Sequence, residues 1–167
     1  LKTNKTLNDN NQIAITYCNE KGKEAEEHNP NGALKNIAGI FNKNKNIEFI
    51  CKNIFVKINT SENKFFENID KDVLELHIAH NEGNYFCSED ELKSLEDNNQ
   101  IAAYYCAPDG KIDEKSNPNG AIKNIAGIFN EKKNILGMMP HPERMIDQYL
   151  SGEDGSIFFE NLLKNLK

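Results

Sequence analysis

Residues Phe49 to Ile58 form a run rich in β-branched and aromatic side chains, a pattern that predicts a strand. Ile101 to Cys106 reads as another strand. Asn124 to Phe129 and Ile135 to Met139 are two more, joined across polar Asn130 to Asn134 as a hairpin. Ser88-Glu89-Asp90-Glu91 has the form of a capping box, with Ser88 as the cap and Glu91 three residues on. Leu92 and Leu95 then give the inner face of a short helix. Pro108-Asp109-Gly110 and Asn117-Pro118-Asn119-Gly120 carry the residues that tight turns select. Gly152 to Gly155 reads as a loop. Ser156 to Leu166 follows as an amphipathic helix, with Phe158, Phe159, Leu162, Leu163 and Leu166 expected on its buried side. Strands mixed with helices place the chain in the α/β class.

The pattern also repeats. Leu7 to Ile47 aligns without gaps on Leu95 to Ile135, and roughly two-thirds of the positions match. Asp9 to Ala14 corresponds to Asp97 to Ala102, Tyr17-Cys18 to Tyr105-Cys106, and Asn29 to Ala33 to Asn117 to Ala121. Ile37 to Asn42 is identical to Ile125 to Asn130. Two copies fall short of the three or so stacked units that a solenoid needs. Their ends differ as well. The second copy runs on through Leu136 to Met139 into Pro140-His141-Pro142-Glu143-Arg144, whereas the first breaks off at Ile47 into Glu48-Phe49-Ile50-Cys51. The chain therefore divides into residues 1–47, a partial repeat of 89–135, and residues 48–167.

Composition narrows the function classes. The 167 residues are 38% hydrophobic, contain no Trp and carry a net charge of −6. That charge argues against nucleic acid or an anionic membrane as the main partner. No apolar run approaches the roughly 20 residues that span a bilayer. The first ten residues are polar and lack the apolar stretch of a secretory signal, which points to the cytoplasm. The sequence starts at Leu1 rather than Met, so a processed or fragmentary beginning fits it. Cys18, Cys51, Cys87 and Cys106 are far apart and form no CxxC pair, so zinc and dithiol chemistry are poor readings. They are expected to be buried, reduced thiols. His77 and His80 lack an evident third ligand, and no metal is expected.

His141 and Glu143 lie two apart in a segment that Pro140 and Pro142 stiffen. In an extended stretch such residues point the same way. A carboxylate on one imidazole nitrogen fixes the tautomer, and the other nitrogen can then take a proton from a nucleophile. The chemistry alone leaves an ordinary loop histidine as the alternative.

Gly137-Met138-Met139-Pro140-His141-Pro142-Glu143-Arg144 resembles the end of a class I, triad-type glutamine amidotransferase. More narrowly it resembles the glutaminase subunits of phosphoribosylformylglycinamidine synthase. Phe49 to Lys57, Ile78 to Phe86 and Asn117-Pro118-Asn119-Gly120 with Ile125 to Ile128 agree in the right order, from about Glu48 to Lys167. The resemblance implies a flavodoxin-like mixed sheet flanked by helices, with its N-terminal half incomplete here. It implies a Cys-His-Glu site that hydrolyses glutamine through a glutamyl thioester, with His141 and Glu143 as the triad His and Glu. His80 and Glu82 would lie beside the substrate site. The partner would be a synthetase subunit that receives the ammonia and uses ATP in purine biosynthesis. The glutaminase itself would need no cofactor.

The chain departs from the family in two places. No Gly-x-Cys-x-Gly turn, which would expose a nucleophilic sulfur, is present. Cys18 and Cys106 read as strand-end residues and Cys51 as a strand residue. Cys87 is the least implausible substitute, because a helix N-terminus favours a thiolate. A chimeric gene, a degenerate paralogue or a half-protein complemented in trans would each account for this. The chain is then expected to be inactive alone, and a catalytically dead module that binds the synthetase is the alternative reading. The second departure is Asn81 in place of the family's Gly. If positive φ is needed there, Asn is the least costly substitute.

Overall fold

The computed structural model describes residues 13–16, 37–42, 48–59, 63–149 and 151–165, the first two segments through their backbone. The chain forms two compact units, Leu1–Asn42 and Lys43–Lys167. In the first, β1 (Ile13–Thr16) and β2 (Ile37–Asn42) pair antiparallel. Cys18 and the turn at 29–32 lie outside the described residues.

The second unit holds β3 (Ile50–Ile58), β4 (Val73–His80), the short β5 (Asn84–Tyr85), β6 (Ile101–Cys106), β7 (Ile125–Phe129) and β8 (Leu136–Met138). Two helices accompany them, α1 (Glu89–Asp97) and α2 (Asp154–Asn165). Five strands make one sheet in the order β4-β3-β6-β7-β8, with every neighbouring pair antiparallel. Alternation explains β3 and β4. Ile54, Val56 and Ile58 of β3 and Leu74, Leu76 and Ile78 of β4 are buried, and the residues between them point to the other face. β6 is buried almost throughout because both of its faces are covered. Ala102, Ala103 and Tyr105 join the main core, and Ile101 joins a smaller cluster with Leu92 and Ile125.

α1 starts as its sequence predicts. Ser88 Oγ accepts from the Glu91 N–H at 3.2 Å, and the Glu91 carboxylate accepts from the Ser88 N–H at 2.8 Å. The predicted turns also form. Gly110 (φ 81°) and Gly120 (φ 73°) occupy the left-handed region that glycine tolerates. In the β7–β8 hairpin, Asn130 Oδ1 accepts from the N–H groups of Asn134 and Ile135, each at 3.0 Å.

The second helix differs from expectation. It begins at Asp154, so Asp154 and Gly155 are helical rather than loop. Its buried residues are Gly155, Phe158 and Asn161, while Phe159 and Leu163 are exposed and Leu166 lies outside the described residues. Two contacts turn this face inward. Gly155 lies against the carbonyl of Pro142. Asn161 reaches the 64–68 loop, where its Nδ2 donates to Phe65 O and its Oδ1 accepts from the Asn68 N–H at 3.2 Å. Phe158 then stacks on Phe66, with ring centroids 5.7 Å apart, and Phe66 lies 6.0 Å from Phe129. The same helix packs against β4 and the turn at Pro142–Arg144, so it braces the histidine segment from below.

Candidate active site

The histidine segment leaves the end of β8 under tight control. The Met139 N–H donates to Ala126 O at 3.0 Å, and Pro140 is fully buried. The His141 N–H then donates to His77 O at 2.8 Å, bridging the segment to β4. Pro142 starts a 3-10 turn, Pro142–Arg144, where its fixed φ suits the first position and its missing N–H costs nothing. Met145, 1% exposed, anchors the end of the turn, with its N–H on Pro142 O at 3.0 Å.

His141 Nδ1 and Glu143 Oε1 lie 2.7 Å apart. The expected contact forms, but by a different geometry. His141 is extended, whereas Glu143 sits in the 3-10 turn, and the turn curls the carboxylate back to the ring. The carboxylate accepts from Nδ1–H, which leaves Nε2 as the basic nitrogen. His141 is half-buried and Glu143 is more exposed.

His80, at the end of β4, lies near His141. Burial is the main cause that holds its ring below the ordinary histidine range. A backbone hydrogen bond partly offsets this, and the charge of His141 adds to the lowering. Asn119 Nδ2 lies 3.4 Å from His80 Nε2 and donates to Tyr105 Oη at 2.7 Å. Asn119 and Tyr105 are both fully buried, and burial drives the phenol of Tyr105 upward. Gly83 packs directly under the His80 ring, since a Cβ there would fall 2.3 Å from its Cε1. Glu82 is half-buried, and among the described residues no hydrogen bond joins it to His80, His141 or Glu143. Asn81 has no positive φ, so the loop does not require a glycine there.

The cysteines correct one expectation. Cys51 is exposed rather than buried. Cys87 is buried, and that burial pushes its thiol up, the opposite of activation by the helix start. The Tyr85 hydroxyl opposes this shift, while Glu91 and Glu96 reinforce it. Cys106 is also buried and is pushed up to about 11, chiefly by desolvation. Among the described residues, no group of three His, Cys, Asp or Glu side chains is placed to hold a metal ion, and no helix is long and apolar enough to cross a membrane. The Asn119–Tyr105 pair beside His80 was not anticipated. Its signal was present in the sequence, because both copies of the repeat keep that Tyr and that Asn at matching positions.

The family model of the CobB/CobQ-like glutamine amidotransferase domain matches residues 40–153, and the chain belongs to that family. It is 61% identical over 131 residues to the phosphoribosylformylglycinamidine synthase subunit PurQ of Pelagibacter ubique, covering 78% of this chain and 58% of that protein. Among solved structures it is similar to PurLQS from Thermotoga maritima. There the TM-score is 0.62 and the identity 29%, over 77% of this chain and 53% of that one. The chain thus spans little more than half the length of these relatives.

Proposed function

We propose that this chain carries the histidine–carboxylate half of a glutaminase site that supplies ammonia for formylglycinamide ribonucleotide amidation. The observation that supports this reading is the His141–Glu143 contact at 2.7 Å, in a proline-bracketed turn held against β4. The similarity to a PurQ subunit supports the choice of pathway. In the reaction, His141 Nε2 takes the proton of a cysteine thiol as the sulfur attacks the side-chain amide carbon of glutamine. The proton passes to the leaving nitrogen, which departs as ammonia. Water, deprotonated by the same nitrogen, then releases glutamate from the thioester. Glu143 holds Nδ1–H and stabilises the imidazolium. His80, Glu82 and the Asn119–Tyr105 pair would border the glutamine. A synthetase subunit would take the ammonia and use ATP, and this chain would need no cofactor.

The nucleophile is not among these residues. Cys87 and Cys106 are buried with raised pKa, and the cysteine-bearing turn of the family has no counterpart in the sequence. The chain alone is therefore expected to release no glutamate from glutamine. Joining the N-terminal half of the Pelagibacter relative to residues 48–167 tests the reading. The chimera should hydrolyse glutamine and lose that activity with His141→Ala. Full activity in the His141→Ala chimera, or sustained turnover by the unmodified chain, would contradict the proposal.

A further inference from the structure

On the face of β3 and β4 opposite the core, Cys51 Sγ lies 3.4 Å from His77 Nε2, and His77 Nδ1 lies 2.9 Å from Asn53 Oδ1. Asn53 Nδ2 donates in turn to Glu75 Oε1 at 3.1 Å. The four residues occupy alternate positions of two neighbouring strands, and Asn53 is the direct partner of His77 in the ladder. We propose that Cys51, His77 and Asn53 form a thiol–imidazole–amide site at which Cys51 undergoes thiol–disulfide exchange with small disulfides.

The hydrogen-bond chain fixes the chemistry of each member. The Glu75 carboxylate accepts only, so the Asn53 NH₂ group must face it. That turns Asn53 Oδ1 toward His77, where an acceptor requires the proton on Nδ1. Nε2 is then the unprotonated nitrogen, and it faces the thiol as a base. His77 takes the Cys51 proton, and the thiolate attacks one sulfur of the disulfide. A new S–S bond forms, the old one breaks, and the departing thiolate regains the proton from His77. The exchange leaves Cys51 oxidised and half of the small molecule reduced, with no other reagent required.

The surroundings favour this chemistry over acyl transfer. An acyl transfer site needs N–H groups aimed at an oxyanion. Here the N–H groups of β3 and β4 lie in the plane of the sheet, not aimed at the thiol on its face. Disulfide exchange needs no such donors. It needs access, and Cys51 and Asn53 are exposed. Ala79, the ladder partner of Cys51, is too small to cover the sulfur.

The test uses the intact chain and dithionitrobenzoate, a chromogenic aromatic disulfide, near neutral pH, with the modified residue located by peptide mass mapping. Cys51 should react at least about tenfold faster than the same cysteine in a synthetic peptide of residues 48–54. Buried Cys87 and Cys106 should lag. His77→Ala and Asn53→Leu should each slow Cys51, while Cys51→Ser should abolish the fast phase. A Cys51 rate equal to that of the peptide overturns the proposal. So does a rate that is unchanged in a folded His77→Ala or Asn53→Leu variant. Because the peptide comparison needs no variant, the proposal stays testable even if a substitution disturbs folding.

Discussion

Gly155→Ala sets two opposing effects of known size against each other. In a helix the exchange alone favours Ala by about 1 kcal/mol, because glycine loses more conformational freedom on folding. The structure opposes it. A Cβ on Gly155 would stand 1.8 Å from Pro142 O, 2.7 Å from Pro142 C and 2.8 Å from Met145 O, all of them backbone atoms. None of these can swing aside as a side-chain tip would. The helix start and the Pro142–Arg144 turn must separate by about 1.6 Å before ordinary contact, at 3.4 Å, resumes. Separation strains the Gly155 N–H bond to Met145 O at 2.8 Å and the Asp154 Oδ2 bond to the Glu75 N–H at 2.7 Å. It also withdraws Phe158, 7% exposed, from Phe66. Overpacking of this kind costs about 1–3 kcal/mol, and each weakened bond adds about 1 kcal/mol, so the net expectation is a loss of about 2–4 kcal/mol. Urea denaturation followed by far-UV circular dichroism reads this as a lower midpoint with an unchanged slope. A variant as stable as the parent, or more stable, would refute the argument, since propensity alone would then govern the site.

Three further outcomes rest on local geometry. Ser88→Ala removes the Ser88 Oγ bonds to the Glu91 N–H and carboxylate, leaving the backbone half of the α1 capping box, and should cost about 1 kcal/mol, read as a shift in urea midpoint. Tyr105→Phe leaves the fully buried Asn119 amide without its 2.7 Å partner and should cost about 1–3 kcal/mol. A double variant with Asn119→Leu should cost less than the sum of the single changes, and strict additivity would show that the two groups are uncoupled. His80 should titrate below an ordinary histidine by NMR, because burial disfavours its charged form. The unfolded chain then binds the proton first, so stability is full above about pH 6.5 and falls as the pH drops through the folded-state value. His80→Gln should flatten that dependence, and an unchanged acid profile in this variant would exclude His80 as its source.

Features set by a few adjacent residues were legible in the sequence. The alternation of β3, the capping box at Ser88 and the two turns with positive-φ glycines each depend on neighbours within four positions. The His141–Glu143 contact was legible too, although its 3-10 geometry was not. Pro142 permits either an extended segment or the first position of a helical turn, and the anchoring of Met145 decides between them. Features fixed by tertiary contacts were misread. The apolar residues of α2 predicted a face through Phe159 and Leu163, yet a glycine and an asparagine define the buried side, because they meet backbone groups. Cys51 sits in an apolar-looking run, but near the start of β3 it points away from the core. Only the register with β4 brings it to His77. Cys87, by contrast, is buried as expected, and desolvation outweighs any help from the neighbouring helix start.

The two copies of the repeat separate what a strand pair encodes from what a site requires. β1 and β2 pair Ile13 with Ile40, Ile15 with Gly39 and Thr16 with Ile37. β6 and β7 pair Ile101 with Ile128, Ala103 with Gly127 and Tyr104 with Ile125. These are counterparts in the repeat, and both ladders shift register at the same two places. The irregular pairing therefore reflects the residues the copies share. Their side chains are not shared to the same degree. Ala103 is fully buried in the main core, and Ile15 stands at its counterpart position. An isoleucine in the place of Ala103 would overfill that core, at about 1–3 kcal/mol. The first copy thus keeps the ladder without being a ready replacement for β6. The histidine depends on the segment beyond the ladder. The Asn130 turn, β8 and the buried Pro140 carry the chain from Phe129 to His141, and only the second copy continues into them. Gly127 marks that dependence. Its absent side chain lets β8 approach, since a Cβ there would meet Met138 Cβ at 3.0 Å and Gly137 O at 3.2 Å. Gly39 occupies the same place in the first copy, where the sequence turns instead into Glu48-Phe49-Ile50-Cys51.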